Sequence, residues 1–170
     1  MAGTTFLQLN SSGVLVETRS VDTSSGSGDA TKIPALDSNG QLAVGFMPTG
    51  MGPDVITIEA SENLTAGDFV NLWDSSGIKA RKADATTAGK EAHGFVLSAV
   101  TSGNNATVYV SGENTQLTGL TVGADQFLST TAGGRTETAP TTATQVCQYI
   151  GVAYSATAMV FRPARAITRA

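Results

Sequence analysis

The chain has 170 residues and a net charge of -4, with 41% hydrophobic, 6% aromatic and 14% charged residues. No apolar run reaches the roughly 18 residues of a membrane span, and no basic stripe marks a nucleic-acid groove, so neither a membrane nor a nucleic-acid partner is expected. One cysteine, Cys147, excludes an intrachain disulfide and a cysteine-rich zinc site, while 24 threonines, 15 serines and 19 glycines favour strands and turns over long helices.

Residues 1–53 differ from the rest. The opening MAGTTFLQLN lacks a basic region followed by an apolar one, and no secretory signal is expected. FLQLNSSGVLVE reads as two short apolar runs around the turn Asn10 to Gly13. The Gly/Ser-rich TRSVDTSSGSGDA has little to bury. In KIPALDSNGQLAVGFMPTGMGPD the apolar Ile33, Leu36, Leu42, Val44, Phe46 and Met47 are separated by Pro34, Asn39-Gly40, Pro48, Gly50 and Pro53. That punctuation is too dense for a helix or a long strand, yet the apolar content is too high for a solvated linker. The segment reads as an extended arm that buries side chains piecemeal against a body, its own or a neighbour's. Its tentative interface residues are Ile33, Pro34, Leu36, Leu42, Val44, Phe46 and Met47.

The body spans 54–163. VITIEA alternates as a strand, and further strand candidates are Asp68–Trp73, Ile78–Lys82, Ala92–Val100 and Ala106–Val110. After residue 112 come Gln126–Ser129, Thr136–Thr138, Gln145–Ser155 and Ala158–Phe161. Laid over each other, 54–112 and 113–163 agree in order. LTAGDFVNL meets LTVGADQFL, ADATTAG meets APTTATQ, GFVLSAV meets GVAYSAT, and ATVYV meets AMVFR. The expected fold is all-β: a small β-barrel or β-sandwich built from two similar β-meander units, preceded by the N-terminal arm. Residues 164–170 form a basic tail, with Arg162 just before it and Arg165 and Arg169 within it, read as a solvated terminus or a contact for an acidic surface.

No catalytic, cofactor-binding or metal-ligating set is singled out, and no cofactor is expected. His93 is the only histidine and would have to serve any histidine-based triad. The repeat sets it against Ile150, so the position accepts an apolar side chain. An enzyme would need Glu91 or another carboxylate to converge with His93 in a pocket. The carboxylates are scattered over turns and strand ends. A metal site through Asp68, Asp74 or Asp84 lacks any recognised spacing, and no phosphate-binding loop is present. A carbohydrate platform could draw only on Trp73, Tyr109 and Tyr154.

The stretch LTGLTVGADQFLSTTAGGRTETAPTTATQVCQYIGVAYSATAMVFRP resembles a module of tailed-bacteriophage head-fibre, tail-fibre and decoration proteins. The resemblance rests on Gly119, Leu120, Thr121, Gly123, Phe127, Leu128, Ser129, Gly133, Gly134, Thr136, Thr138, Pro140, Val146, Gln148, Gly151, Val152, Ala153, Ser155, Ala156, Thr157, Phe161 and Pro163. The chain departs from the pattern at Asp125-Gln126 and at Tyr154. KIPALDSNGQLAVGFMP is similar to a short phage-fibre motif, departing at Gln41-Leu42-Ala43 and Val44-Gly45. The resemblance implies a non-enzymatic, oligomeric virion protein, commonly a homotrimer. The absence of a long repetitive shaft then points to a capsid decoration, or cement, protein on the outer surface of the head, with the major capsid protein and its own copies as partners. The alternatives are a short head-fibre or tail-fibre-associated adhesion or adaptor protein, and a carbohydrate-binding β module that takes a host-surface glycan.

Overall fold

A computed structural model describes residues 5–23, 27–29, 32–36, 38, 40–43, 46–47 and 54–170. The chain divides into two compact units, Met1–Gly52 and Pro53–Ala170.

In the first unit the two apolar runs pair as an antiparallel hairpin, β1 (Thr5–Leu9) with β2 (Leu15–Arg19). The turn forms because Asn10 can mimic a backbone acceptor. Its Oδ1 accepts the N–H groups of Ser12 and Val14 at 2.9 Å each, and Gly13 supplies φ +75°. Pro34 then runs parallel beside Val21, with Val21 N–H donating to the Ile33 carbonyl and Ala35 N–H to the Val21 carbonyl.

The second unit is built from two five-stranded sheets. The first contains β3 (Val55–Glu59), β4 (Phe69–Asp74), β5 (Ile78–Lys82), β6 (Gly94–Phe95) and β7 (Asn105–Tyr109), in the order β3-β7-β6-β4-β5. The second contains β8 (Gly112–Asn114), β9 (Asp125–Leu128), β10 (Arg135–Thr136), β12 (Tyr149–Ala153) and β13 (Met159–Phe161), in the order β8-β13-β12-β9-β10. The orders are the same when read copy against copy. In each copy the first strand pairs with the last, so the units are not sequential meanders. β11 (Val146–Cys147) pairs with β14 (Ile167–Thr168) as a separate two-stranded ribbon.

The duplication extends to individual hydrogen bonds. Gly67 N–H donates to the Val96 carbonyl and Val96 N–H to the Asp68 carbonyl. Their counterparts are Gly123 N–H to Ala153 and Ala153 N–H to Ala124. Val70 lies opposite Gly94, and Gln126 opposite Gly151. Both glycines are required by a close strand crossing. A Cβ on Gly94 would come within 2.6 Å of the Tyr109 carbonyl oxygen, and one on Gly151 would overlap the Val160 carbonyl oxygen. The fourth sequence match needs correction by one residue. Phe95 pairs with Tyr109 and Val152 with Val160, so Tyr109 is equivalent to Val160, not to Phe161. A slip of one residue reverses every side chain's face, and burial of the facing residues fixes the true register.

Ala92–Val100, expected as one strand, keeps only Gly94–Phe95 in the ladder. Val96 turns to bond Gly67 and Asp68, and Val100 exchanges bonds with Leu64. Gln145–Ser155 is likewise interrupted, between β11 and β12.

The main core lies between the two sheets. Phe69 and Phe95 from the first meet Leu128, Ile150, Met159 and Phe161 from the second. The Phe161 ring is 5.7 Å from Phe69 and 5.5 Å, edge-on, from Phe95. The other face of the first sheet buries Val70, Val96 and Val108 against Ala60, Ala80 and Ala106. These small residues let the sheet curl until its edges touch at a single parallel bridge, Ala60 to Ala80. No ladder closes there, and among the described strands neither sheet forms a closed barrel. The open, packed pair is therefore sandwich-like. The copies stack front to back: Met159, equivalent to Val108, faces the shared core, whereas Val108 faces the curl.

Candidate functional site

Exposed apolar side chains concentrate in the first unit. The hairpin register places Leu9 opposite Leu15 and Leu7 opposite Glu17 on one face, with these leucines 69% (Leu7), 63% (Leu9) and 63% (Leu15) exposed. Val14 is exposed at the turn. Phe6 and Val16 point to the opposite, half-buried face. A two-stranded hairpin alone in water is marginal, and this one presents its leucines to solvent.

Of the sequence-predicted interface residues, Ile33, Leu36, Leu42 and Met47 are exposed. Pro34 forms the bridge to Val21, and Phe46 is half-buried, its N–H donating to the Ala43 carbonyl. Val44 lies outside the described residues. Ile33 to Leu36 line a cavity of about 470 Å³ with Thr5, Phe6 and Ser20. The structure thus brings the Ile33–Leu36 stretch together with the hairpin, which sequence reasoning had not assigned to the interface. The signal was present in the alternation Leu7, Leu9 and Leu15, but alternation alone does not say which face is covered.

In the second unit Glu91 and His93 do converge on one cavity, of about 520 Å³, walled also by Gln148 and by Pro163 to Ala166. His93, Glu91 and Gln148 are each committed to structural hydrogen bonds. His93 Nδ1 accepts the Leu72 N–H at 3.0 Å, which leaves the proton of the neutral ring on Nε2. Glu91 Oε1 accepts the Gly89 N–H at 3.0 Å. Gln148, buried, bonds both backbone groups of Ala92 at 2.8 and 2.9 Å and so ties one sheet's connection to the other. A bulge between Tyr149 and Gly151 turns the matching Ile150 into the core, while His93 stays at the surface.

The aromatic trio does not assemble. Trp73 lies under the Arg81 guanidinium at 4.5 Å and donates its indole N–H to Ser61. Tyr109 stacks on Phe95 at 5.4 Å. Tyr154 is exposed and donates to Glu113 at 3.0 Å; desolvation and that carboxylate raise its phenol above the usual value of 10.0.

Asp68 accepts the Thr65 N–H and pairs with Lys82 at 3.2 Å. Asp74 accepts the Gly77 N–H. Asp84 meets Thr86 and Lys90; burial pushes its carboxyl up, but those hydrogen bonds outweigh it and hold it below 3.8. Among the described residues no group of three or more His, Cys, Asp or Glu side chains could hold a metal ion. In the second copy Glu137 accepts the Thr121 N–H at 2.8 Å, the main reason its carboxyl lies below 4.5, with Gln126 and Arg135 adding to it.

The fold and these surfaces define a class, an all-β chain in which a packed duplicated body accompanies a unit rich in exposed apolar side chains. No protein family, no curated protein and no solved structure matches the chain.

Proposed function

We propose that the chain is a non-enzymatic virion structural protein that decorates the outer surface of a capsid and bridges neighbouring subunits. The observation that carries this reading is the exposed leucine face of the β1–β2 hairpin together with Ile33 and Leu36. Apolar surface so concentrated is an association surface by ordinary physical chemistry. The second unit has its own inter-sheet core and does not depend on that surface for burial. The resemblance to phage head and fibre modules supplies the setting. In that setting the first unit grips a neighbouring subunit or the major capsid protein, and the body covers the outer face. Each contact is modest, and many symmetric copies sum them through avidity.

A cryo-EM reconstruction of the particle encoded by the genome that carries this gene tests the reading. Density for the two-sheet body is expected across the capsid lattice, with residues 5–36 against an adjoining subunit. Density confined to one axis or to the tail would favour the fibre-associated adaptor, and a particle without the protein would sink both.

A further inference from the structure

The C-terminal segment is not a free tail. Arg162 N–H donates to the Ile150 carbonyl, Ala164 N–H to Tyr149 and Arg169 N–H to Gln145, and β14 pairs with β11. Ala166 packs against the inter-sheet core, while Arg165, Ile167, Thr168 and Arg169 are exposed, Ile167 by 67%. Among the described strands β14 has a neighbour on one side only.

Within the second unit the arginines of this C-terminal segment stand apart. Lys79, Lys82, Lys90 and Arg135 each have a carboxylate within 3.4 Å, and Arg81 is held by Trp73, Asn71 and Gly89. Arg162, Arg165 and Arg169 have no ion-pair partner among the described residues. From Thr138 to Ala170 the chain carries these three arginines and no acidic residue, whereas the whole chain is at -4.

We infer that β14 and its flanking arginines are a docking edge for an extended acidic segment of a partner protein, added as the next strand. Strand addition supplies main-chain hydrogen bonds, and side chains two apart supply specificity. Exposed Ile167 between two arginines matches a segment with an apolar residue flanked at i-2 and i+2 by carboxylates. A second copy of the same edge is disfavoured, because antiparallel pairing centred on Ile167 would set Arg165 directly against Arg169. Arg165 also reaches the wall of the cavity that holds His93 and Glu91, which gives a partner side chain room beside the edge. The inference is independent of the capsid reading, and the failure of either leaves the other standing.

The test is fluorescence anisotropy of the full-length protein with a dye-labelled heptapeptide, Thr-Glu-Thr-Val-Thr-Glu-Thr. Binding is expected, weakened by salt, and at least tenfold weaker for the lysine-for-glutamate peptide and for a backbone N-methylated peptide. The double variant Arg165→Glu/Arg169→Glu should also lose at least tenfold, with an unchanged unfolding transition. No binding, or equal binding of the N-methylated peptide, overturns strand addition. Tighter binding of an oligothymidylate than of the peptide overturns the choice of partner. The peptide comparisons need no substitution and decide the matter even if the double variant misfolds.

Discussion

Replacing Leu7, Leu9 and Leu15 together by threonine tests whether the hairpin face is an association surface. Threonine keeps strand propensity, so the hairpin itself is preserved. About two-thirds of each leucine is open to solvent and only that fraction remains for a partner to cover. Full burial of a leucine is worth about 1.5–3 kcal/mol, so the open fraction is worth about 1–2 kcal/mol each. The triple variant should therefore weaken association by about 3–6 kcal/mol, roughly 10²–10⁴-fold in Kd. Sedimentation equilibrium over a range of concentrations reads self-association, and co-sedimentation with the cognate particle reads attachment. Thermal unfolding of the second unit should not move, since its core includes none of the three residues. If mass and particle binding both match the unsubstituted protein, the face is not an interface and the proposed function loses its main support.

Gly151→Ala should destabilise the body by about 3 kcal/mol or more, because the new Cβ overlaps the Val160 carbonyl at a backbone φ of +146°; a denaturant midpoint within error of the parent would contradict the crossing geometry. Phe161→Ala removes the ring that contacts both Phe69 and Phe95, and chemical denaturation should show a loss of about 3–5 kcal/mol. Asp84 and Glu137 have carboxyls held below their ordinary values of 3.8 and 4.5. A carboxyl depressed in the folded state contributes stability above its unfolded value and loses it as pH falls through the lower folded value. Asp84→Asn/Glu137→Gln should therefore flatten the decline of Tm below about pH 4.5 relative to the parent; parallel Tm profiles would show that neither group is linked to folding.

Much of the body was legible in the chain. The order of the matches LTAGD/LTVGA and GFVLSAV/GVAYSAT corresponds to equivalent strands with equivalent hydrogen bonds, because Gly67 and Gly123 end the same turn and Gly94 and Gly151 make the same crossing. The fourth match was misplaced by one residue, since two short apolar strands rich in small residues align almost equally well in either register. β8 and β14 were not foreseen. Gly112–Asn114 has no apolar alternation, and Ile167–Thr168 is a strand only because Val146–Cys147 offers it an edge.

The candidate site was legible in part. Dense proline and glycine around Ile33, Leu36 and Phe46 marked a segment that could not bury itself as a regular element. The hairpin leucines could not be assigned from sequence, because a period of two states that a face is apolar and not whether anything lies over it.

Composition and periodicity determined by themselves that this chain is all-β, duplicated and preceded by a segment of different character. These are local properties of side-chain shape and turn chemistry. Tertiary structure alone decided that the copies stack front to back, that the first sheet curls on Ala60, Ala80 and Ala106 without closing, and that Glu91 and His93 share a cavity. It also placed Arg165 and Arg169 on either side of the ordered strand β14. Each of these depends on which faces and edges are consumed by distant neighbours, and that is settled by packing between residues far apart in the sequence.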